Sequence, residues 1–122
     1  MVIDTNILIY YLQNEKIVIE QLEEWQKNNL PLFISIISVV EILSYSKLKE
    51  KEIEIIKDFL DKFIKIPIDE KIAEQAAVLR RKYKIEIGDA LISSTAILYN
   101  QSLVTRNEKD FKRIKELFLL KI

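Results

Sequence analysis

Met1-Val2-Ile3-Asp4-Thr5-Asn6 opens the chain with three apolar residues, then an acid and two hydrogen-bonding side chains. The apolar part reads as a short buried strand over Met1–Thr5, with Asn6 capping a helix through Ile7–Gln13. The same strand-to-helix junction recurs downstream. A second helix is expected from about Ile17 to Lys27, and Asn28-Asn29-Leu30-Pro31 reads as a turn. Leu32–Ile37, rich in β-branched and aromatic residues, predicts a strand. Ser38 is then the expected cap of a helix carrying Glu41, and this Ser-x-x-Glu spacing is also that of a capping box. Further helices are expected over Lys51–Phe63, with Ile53, Ile56, Leu60 and Phe63 on one face, and from Asp69 to Tyr83, with Ile72, Ala76, Leu79 and Tyr83 as its stripe. Another spans Asp89–Tyr99, where Ala90, Ser93, Ser94 and Ala96 suit close packing on a sheet. Strands are expected at Ile64–Ile68, which Pro67 assigns to a sheet edge, at Ser102–Thr105 and at Phe118–Leu120. This alternation predicts an α/β fold, a three-layer α/β/α sandwich with a mainly parallel central sheet.

At 122 residues the chain suits a single domain, 1–122, with no repeat and no linker: glycine occurs once and proline twice. No apolar run approaches the ~20 residues a membrane span requires, and no basic-then-apolar leader is visible, so a cytoplasmic setting without membrane contact is expected. Cysteine and histidine are both absent. Disulfides, thiolate and imidazole catalysis and ordinary zinc sites are thereby excluded. Any bound metal would be held by oxygen, as Mg²⁺, Mn²⁺ or Ca²⁺ are. Basic and acidic residues number 19 each, so any contact with nucleic acid must rest on a local patch.

Four acids stand at strand-to-helix or strand-to-loop junctions: Asp4, Glu41, Asp89 in Gly88-Asp89-Ala90, and Asp110 in Thr105-Arg106-Asn107-Glu108-Lys109-Asp110-Phe111. Side chains at the carboxyl ends of parallel strands converge on one crevice. Carboxylates gathered there repel one another and would partly neutralise without a cation among them. The pattern therefore points to a divalent metal and to phosphate chemistry. Judged singly, Asp89 and Asp110 also read as helix caps and Glu41 as half of a capping box. Tyr10 and Tyr11 suit core or interface packing as well as base stacking. Ile7, Leu8, Tyr11, Leu12 and Trp25 look like more apolar surface than one small core covers, which predicts a partner surface.

Taken together, Asp-Thr-Asn, Ser-x-x-Glu, Gly-Asp-Ala and Thr-x-Asn-x-x-Asp-Phe resemble the PIN-domain nucleases, particularly the VapC-like toxins of toxin–antitoxin pairs. The likeness spans essentially the whole chain. It is strongest from Leu79 to Ile92 and from Leu103 to Phe111. Two departures are visible: Gly88 stands where proline is common, and few residues precede Asp4. The resemblance implies that Asp4, Glu41, Asp89 and Asp110 hold Mg²⁺ or Mn²⁺, with Asn6, Thr105 and Asn107 as supporting polar residues. It implies endonucleolytic RNA cleavage leaving a 5′-phosphate and a 3′-hydroxyl, a homodimer, and a small antitoxin lying across the active-site groove. Arg80, Arg81 and Arg106, with Lys82, Lys84 and Lys109, are weaker candidates for contacts with RNA phosphates, since a solvated helix face would look the same.

The alternative within this family is a PIN-like module that binds RNA or protein without cutting. A receiver-like signalling module would show paired acids early, where this chain has Asp-Thr-Asn. A haloacid-dehalogenase-type phosphatase would need a second Asp where Asn6 stands.

Overall fold

Along each central strand successive side chains face opposite cores, the two-residue period of a sheet buried on both faces. Val2 and Leu103 pack into one core, whereas Ile3, Ile34 and Val104 pack into the other. A computed structural model describes residues 1–122 as β1 (Val2–Ile3), α1 (Thr5–Leu12), α2 (Lys16–Lys27), β2 (Phe33–Ser35), α3 (Ile36–Leu43), α4 (Glu50–Leu60), β3 (Ile64–Ile66), α5 (Glu70–Tyr83), α6 (Ile87–Leu98), β4 (Leu103–Val104), α7 (Glu108–Phe111) and β5 (Leu119–Leu120). The strand order is β3-β2-β1-β4-β5 and every pairing is parallel, with Val2 opposite both Phe33 and Leu103. Helices α1–α4 cover one face through Ile7, Leu8, Val18, Leu22, Ile42 and Phe59. The other face is covered by α5, α6 and the C-terminal segment, through Ile72, Leu79, Ile92, Phe111 and Ile114. The three-layer α/β/α sandwich expected from the alternation is the observed fold. No helix is long and apolar enough to cross a membrane.

The chain winds outward from β1 to β3 and then returns to the far side of β1 at β4. The β1/β4 seam is therefore the topological switch point, where the carboxyl ends of neighbouring strands open a crevice. β3 lies at the sheet edge as expected, but it ends at Ile66, so Pro67 falls just beyond the strand and does not interrupt it.

Several element boundaries differ from the sequence reading. The helix expected from Asn6 begins at Thr5, with Asp4 at its N-cap position, so Asn6 lies inside the first turn. Strand β2 ends at Ser35, and the β-branched residues Ile36 and Ile37 begin α3 instead of prolonging the strand. The cap is Ser35, whose Oγ accepts from the Ile37 amide at 3.2 Å. Ser38 is thus not a cap, and Glu41 belongs to no capping box. Strand–strand pairing decides both boundaries, because the paired neighbours of β2 are themselves only two and three residues long.

Asp69, expected as the first residue of this helix, is instead the cap of α5, its Oδ1 accepting from the Ile72 amide at 2.9 Å. Asp69→Ala should cost about 1 kcal/mol of stability, the usual worth of an N-cap, and lower the melting temperature by roughly 3–6 °C. An unchanged thermal midpoint would mean that α5 is held by packing alone.

The apolar residues of α1 divide: the first pair is absorbed by the core, while Ile9 to Leu12 stay half-buried, Ile9 and Leu12 on an open cleft. Ile7 and Leu8 are fully buried. Tyr11 stacks on Phe59 with ring centroids 4.4 Å apart and donates its hydroxyl to Glu23, while Leu12 and Trp25 pack against the same core. Among the exposed large apolar residues, Val40, Tyr45 and Ile55 lie on α3, the following loop and α4.

Candidate active site

Asp4 leaves β1 at its carboxyl end with extended backbone, yet its side chain makes no capping bond to the helix it precedes. Instead Oδ2 accepts from Thr105 Oγ1 at 2.8 Å, a bond that spans the β1/β4 seam. Thr105 is itself fixed, because its Oγ1 also accepts from the Asn107 amide at 2.9 Å. Asp4 is only 2% exposed and Thr105 is fully buried. Burial pushes the Asp4 carboxyl up to about 6; the Thr105 bond and the amides of Thr5 and Asn6 oppose that rise, and the charge of Glu41 adds to it.

Asp89 lies in the first turn of α6 rather than at its start, because the helix begins two residues earlier with Glu86 as its N-cap residue. It is half-buried. Its carboxyl is likewise raised to about 6, first by burial and then by the negative charges of Asp4, Asp110, Glu41 and Glu86. Four other acids therefore act on Asp89, three of them the sequence-predicted partners. Asp110, in the first turn of α7, is exposed and accepts from Asn107 Nδ2 at 2.7 Å. Glu41 is also exposed along much of its length, but its Oε1 accepts from Thr5 Oγ1 at 2.8 Å. Asn6, the remaining supporting candidate, is exposed on the first turn of α1.

Asp4, Asp110 and Glu41 all bear electrostatically on Asp89, but the four acids do not form a closed cage: no three acidic side chains come within common ligating reach of an ion. What the donor set offers is oxygen alone, with two carboxyls that resist ionisation when bare. Such a set fits a hard divalent cation.

Sequence reasoning missed three residues of this site. Thr5 and Ser38, read as capping groups or passed over, join Glu41 in a hydrogen-bonded row, with Thr5 Oγ1 and Ser38 Oγ 2.7 Å apart. Gly88 matters because a Cβ there would sit 3.0 Å from Glu41 Oε2. The only local signals were a Thr next to the first acid and the unusual glycine before the third.

The basic candidates divide. Arg106 is committed to the fold: its Nε donates to the Ile122 carbonyl at 2.8 Å, its guanidinium lies 5.2 Å from the Tyr10 ring centre, and NH2 is 3.0 Å from Glu15 Oε2. That last contact is ionic rather than a hydrogen bond, since the covered Oε2 has no aligned donor. Arg106, suggested by the sequence as a phosphate contact, thus has internal partners that brace the chain. Lys82 pairs with Glu116 at 3.0 Å. Arg80 donates to the Ile85 carbonyl at 3.2 Å and, with Arg81, Lys84, Ile85 and Glu86, lines an open concavity of about 390 Å³ beside the start of α6. On the opposite flank, Ile9, Leu12, Tyr45, Leu48, Ile55 and Ile56 line a mainly apolar cleft of about 760 Å³ that reaches Glu41.

Comparison with known proteins agrees with this fold. The family model for the PIN domain matches residues 1–117. A protein named ribonuclease VapC1 from Methanocaldococcus jannaschii is 33% identical over an alignment covering 100% of this chain and 85% of its own length. A toxin–antitoxin complex from Klebsiella pneumoniae contains a chain of 34% identity that superposes with a TM-score of 0.82, covering 99% of this chain and 98% of that one. VapBC2 from Rickettsia felis, solved bound to a DNA fragment from its promoter, gives 32% identity and a TM-score of 0.86, covering 99% and 97%. A parallel sheet with its acids gathered at the β1/β4 switch point, matched along nearly its whole length by these relatives, places this chain in the PIN-domain family, among its VapC-like members.

Proposed function

We propose that this chain is a Mg²⁺- or Mn²⁺-dependent endoribonuclease and the toxin of a toxin–antitoxin pair. The observation that carries the reading is the pairing of two carboxyls, Asp4 and Asp89, both raised to about 6 in one crevice at the switch point. Carboxyls so destabilised when ionised are built to receive positive charge. A divalent ion held by these carboxylates would supply the positive charge for activating a water and for offsetting negative charge at phosphorus. Asp4 and Asp89 are its principal holders, with Thr105 fixing the orientation of Asp4. Asp110, steered by Asn107, serves a second ion or an outer contact. Glu41 stands off as the group that orients the attacking water and accepts its proton. No histidine competes for that role.

Arg81 and Lys84, exposed beside the α6 start, supply phosphate contacts for the RNA. The relatives solved as toxin–antitoxin complexes support a small antitoxin as partner here too. The apolar cleft that ends at Glu41 suits a short amphipathic segment of such a partner.

Purified chain freed of any partner should cut RNA in Mg²⁺ or Mn²⁺ and stop in chelator, leaving 5′-phosphate ends, as end-labelling of the products will show. Metal-dependent RNA binding with no turnover on any RNA would favour the non-cutting module instead.

A further inference from the structure

A glutamate exposed along a helix face normally samples many rotamers, because each of its three side-chain torsions is free. Glu41 is held at one oxygen, and the other occupies space that only a glycine at position 88 leaves open. Oε1 accepts from Thr5 Oγ1 at 2.8 Å, and Oε2 lies where a Cβ on residue 88 would come within 3.0 Å. A carboxylate can only accept, so the single Thr5 proton points to Glu41. The 2.7 Å contact between the Thr5 and Ser38 hydroxyls must then run from Ser38 to Thr5. Ser38 is fully buried and Thr5 is 5% exposed, so neither hydroxyl has water as an easy substitute. The result is a one-way row, Ser38 to Thr5 to Glu41, in which each bond polarises the next. It joins α3 to the first residue of α1, next to Asp4. Glycine at position 88 leaves the second oxygen room at the start of α6, where a Cβ would make it shift by a few tenths of an ångström.

We propose that Thr5 is the positioning residue for Glu41: its hydroxyl, oriented by Ser38, holds the glutamate at the Asp4–Asp89 crevice. The inference rests on the nuclease reading for its kinetic part and on geometry alone for the rest. Thr5→Val replaces the hydroxyl by a methyl group of the same shape. It should lower kcat by about 10- to 100-fold with KM little changed, the size expected for losing general-base alignment, and Thr5→Ser should restore most of it.

Thr5→Val also orphans the Ser38 hydroxyl, which lowers stability for a reason unrelated to Glu41. Adding Ser38→Ala removes that orphan. The double variant should regain stability while kcat stays low; recovery of kcat along with stability would reduce Thr5 to a structural role and overturn the proposal. A second readout needs neither metal nor turnover. In chelator, a double-mutant cycle of Thr5→Val with Glu41→Ala should be non-additive, changing the unfolding equilibrium by about threefold to tenfold less than the product of the single effects. Additive effects would overturn the clamp. Should the wild-type chain fail to cut RNA, the nuclease reading falls, and this cycle still decides whether Thr5 holds Glu41.

Discussion

Asp4→Asn is expected to abolish RNA cleavage, by about a thousandfold or more, while making the metal-free protein more stable at neutral pH. Both effects come from one atom set. Asp4 is 2% exposed and its carboxyl is raised to about 6. Two units above the ordinary value correspond to at most about 3 kcal/mol of penalty for keeping it ionised at pH 7.5. Asparagine removes the charge, and its carbonyl oxygen can still accept from Thr105 Oγ1.

The sign of the pH dependence gives this prediction its test. Between pH 4 and 6 the folded chain holds the Asp4 proton more tightly than the unfolded chain does. Stability therefore falls as pH rises through this window, and the penalty is complete only above about 6. In chelator, Asp4→Asn should melt several degrees above wild type at pH 7.5 and no higher than wild type at pH 4. A gain of equal size at both pH values would show that the carboxyl is not strained in the folded protein. Retained cleavage would remove Asp4 from the chemistry.

Metal affinity should be the second large effect, since Asp4 and Asp89 both titrate near 6 and must lose their protons before they can hold a cation. The Mn²⁺ affinity measured by calorimetry is expected to be nearly flat above pH 7. Below pH 6 it should fall by up to ~100-fold per pH unit, the limit for displacing two protons. Because the two groups feel each other, the fall belongs to the pair and not to either residue. Asp89→Asn should weaken binding at every pH and reduce the slope towards tenfold per unit. A pH-independent affinity would mean the ion sits elsewhere. Asp110, exposed on the short helix α7, is the acid left to adjust as the ion arrives, which fits a crevice that is not closed around a cation beforehand.

The alternation of elements and the junction position of each acid were legible in the linear chain, because both are local patterns. Helical stripes such as Ile72, Ala76 and Leu79 are set by neighbours three and four residues away, and the cap at Asp69 by a backbone amide three residues on. Local patterns misled where pairing overrode them. Ile36 and Ile37 have strand-like side chains but fall beyond the paired length of β2, so α3 starts early and the capping box at Ser38 and Glu41 vanishes. The short helix α7 around Asp110 carries too little periodicity to be read in advance. Arg106 looked like a phosphate contact until its partners, Glu15 and Ile122, were brought to it.

Residue order by itself determined that this is a doubly covered parallel sheet without cysteine or histidine side chains, since composition and periodicity need no long-range contact to express themselves. The tertiary structure alone decided which groups share an environment. Thr105 reaches Asp4 across 101 positions and Thr5 reaches Glu41 across 36. The carboxyls at Asp4 and Asp89 are raised only because folding removes water from them and brings like charges together. Burial and mutual repulsion act through space, and no spacing along the chain encodes them.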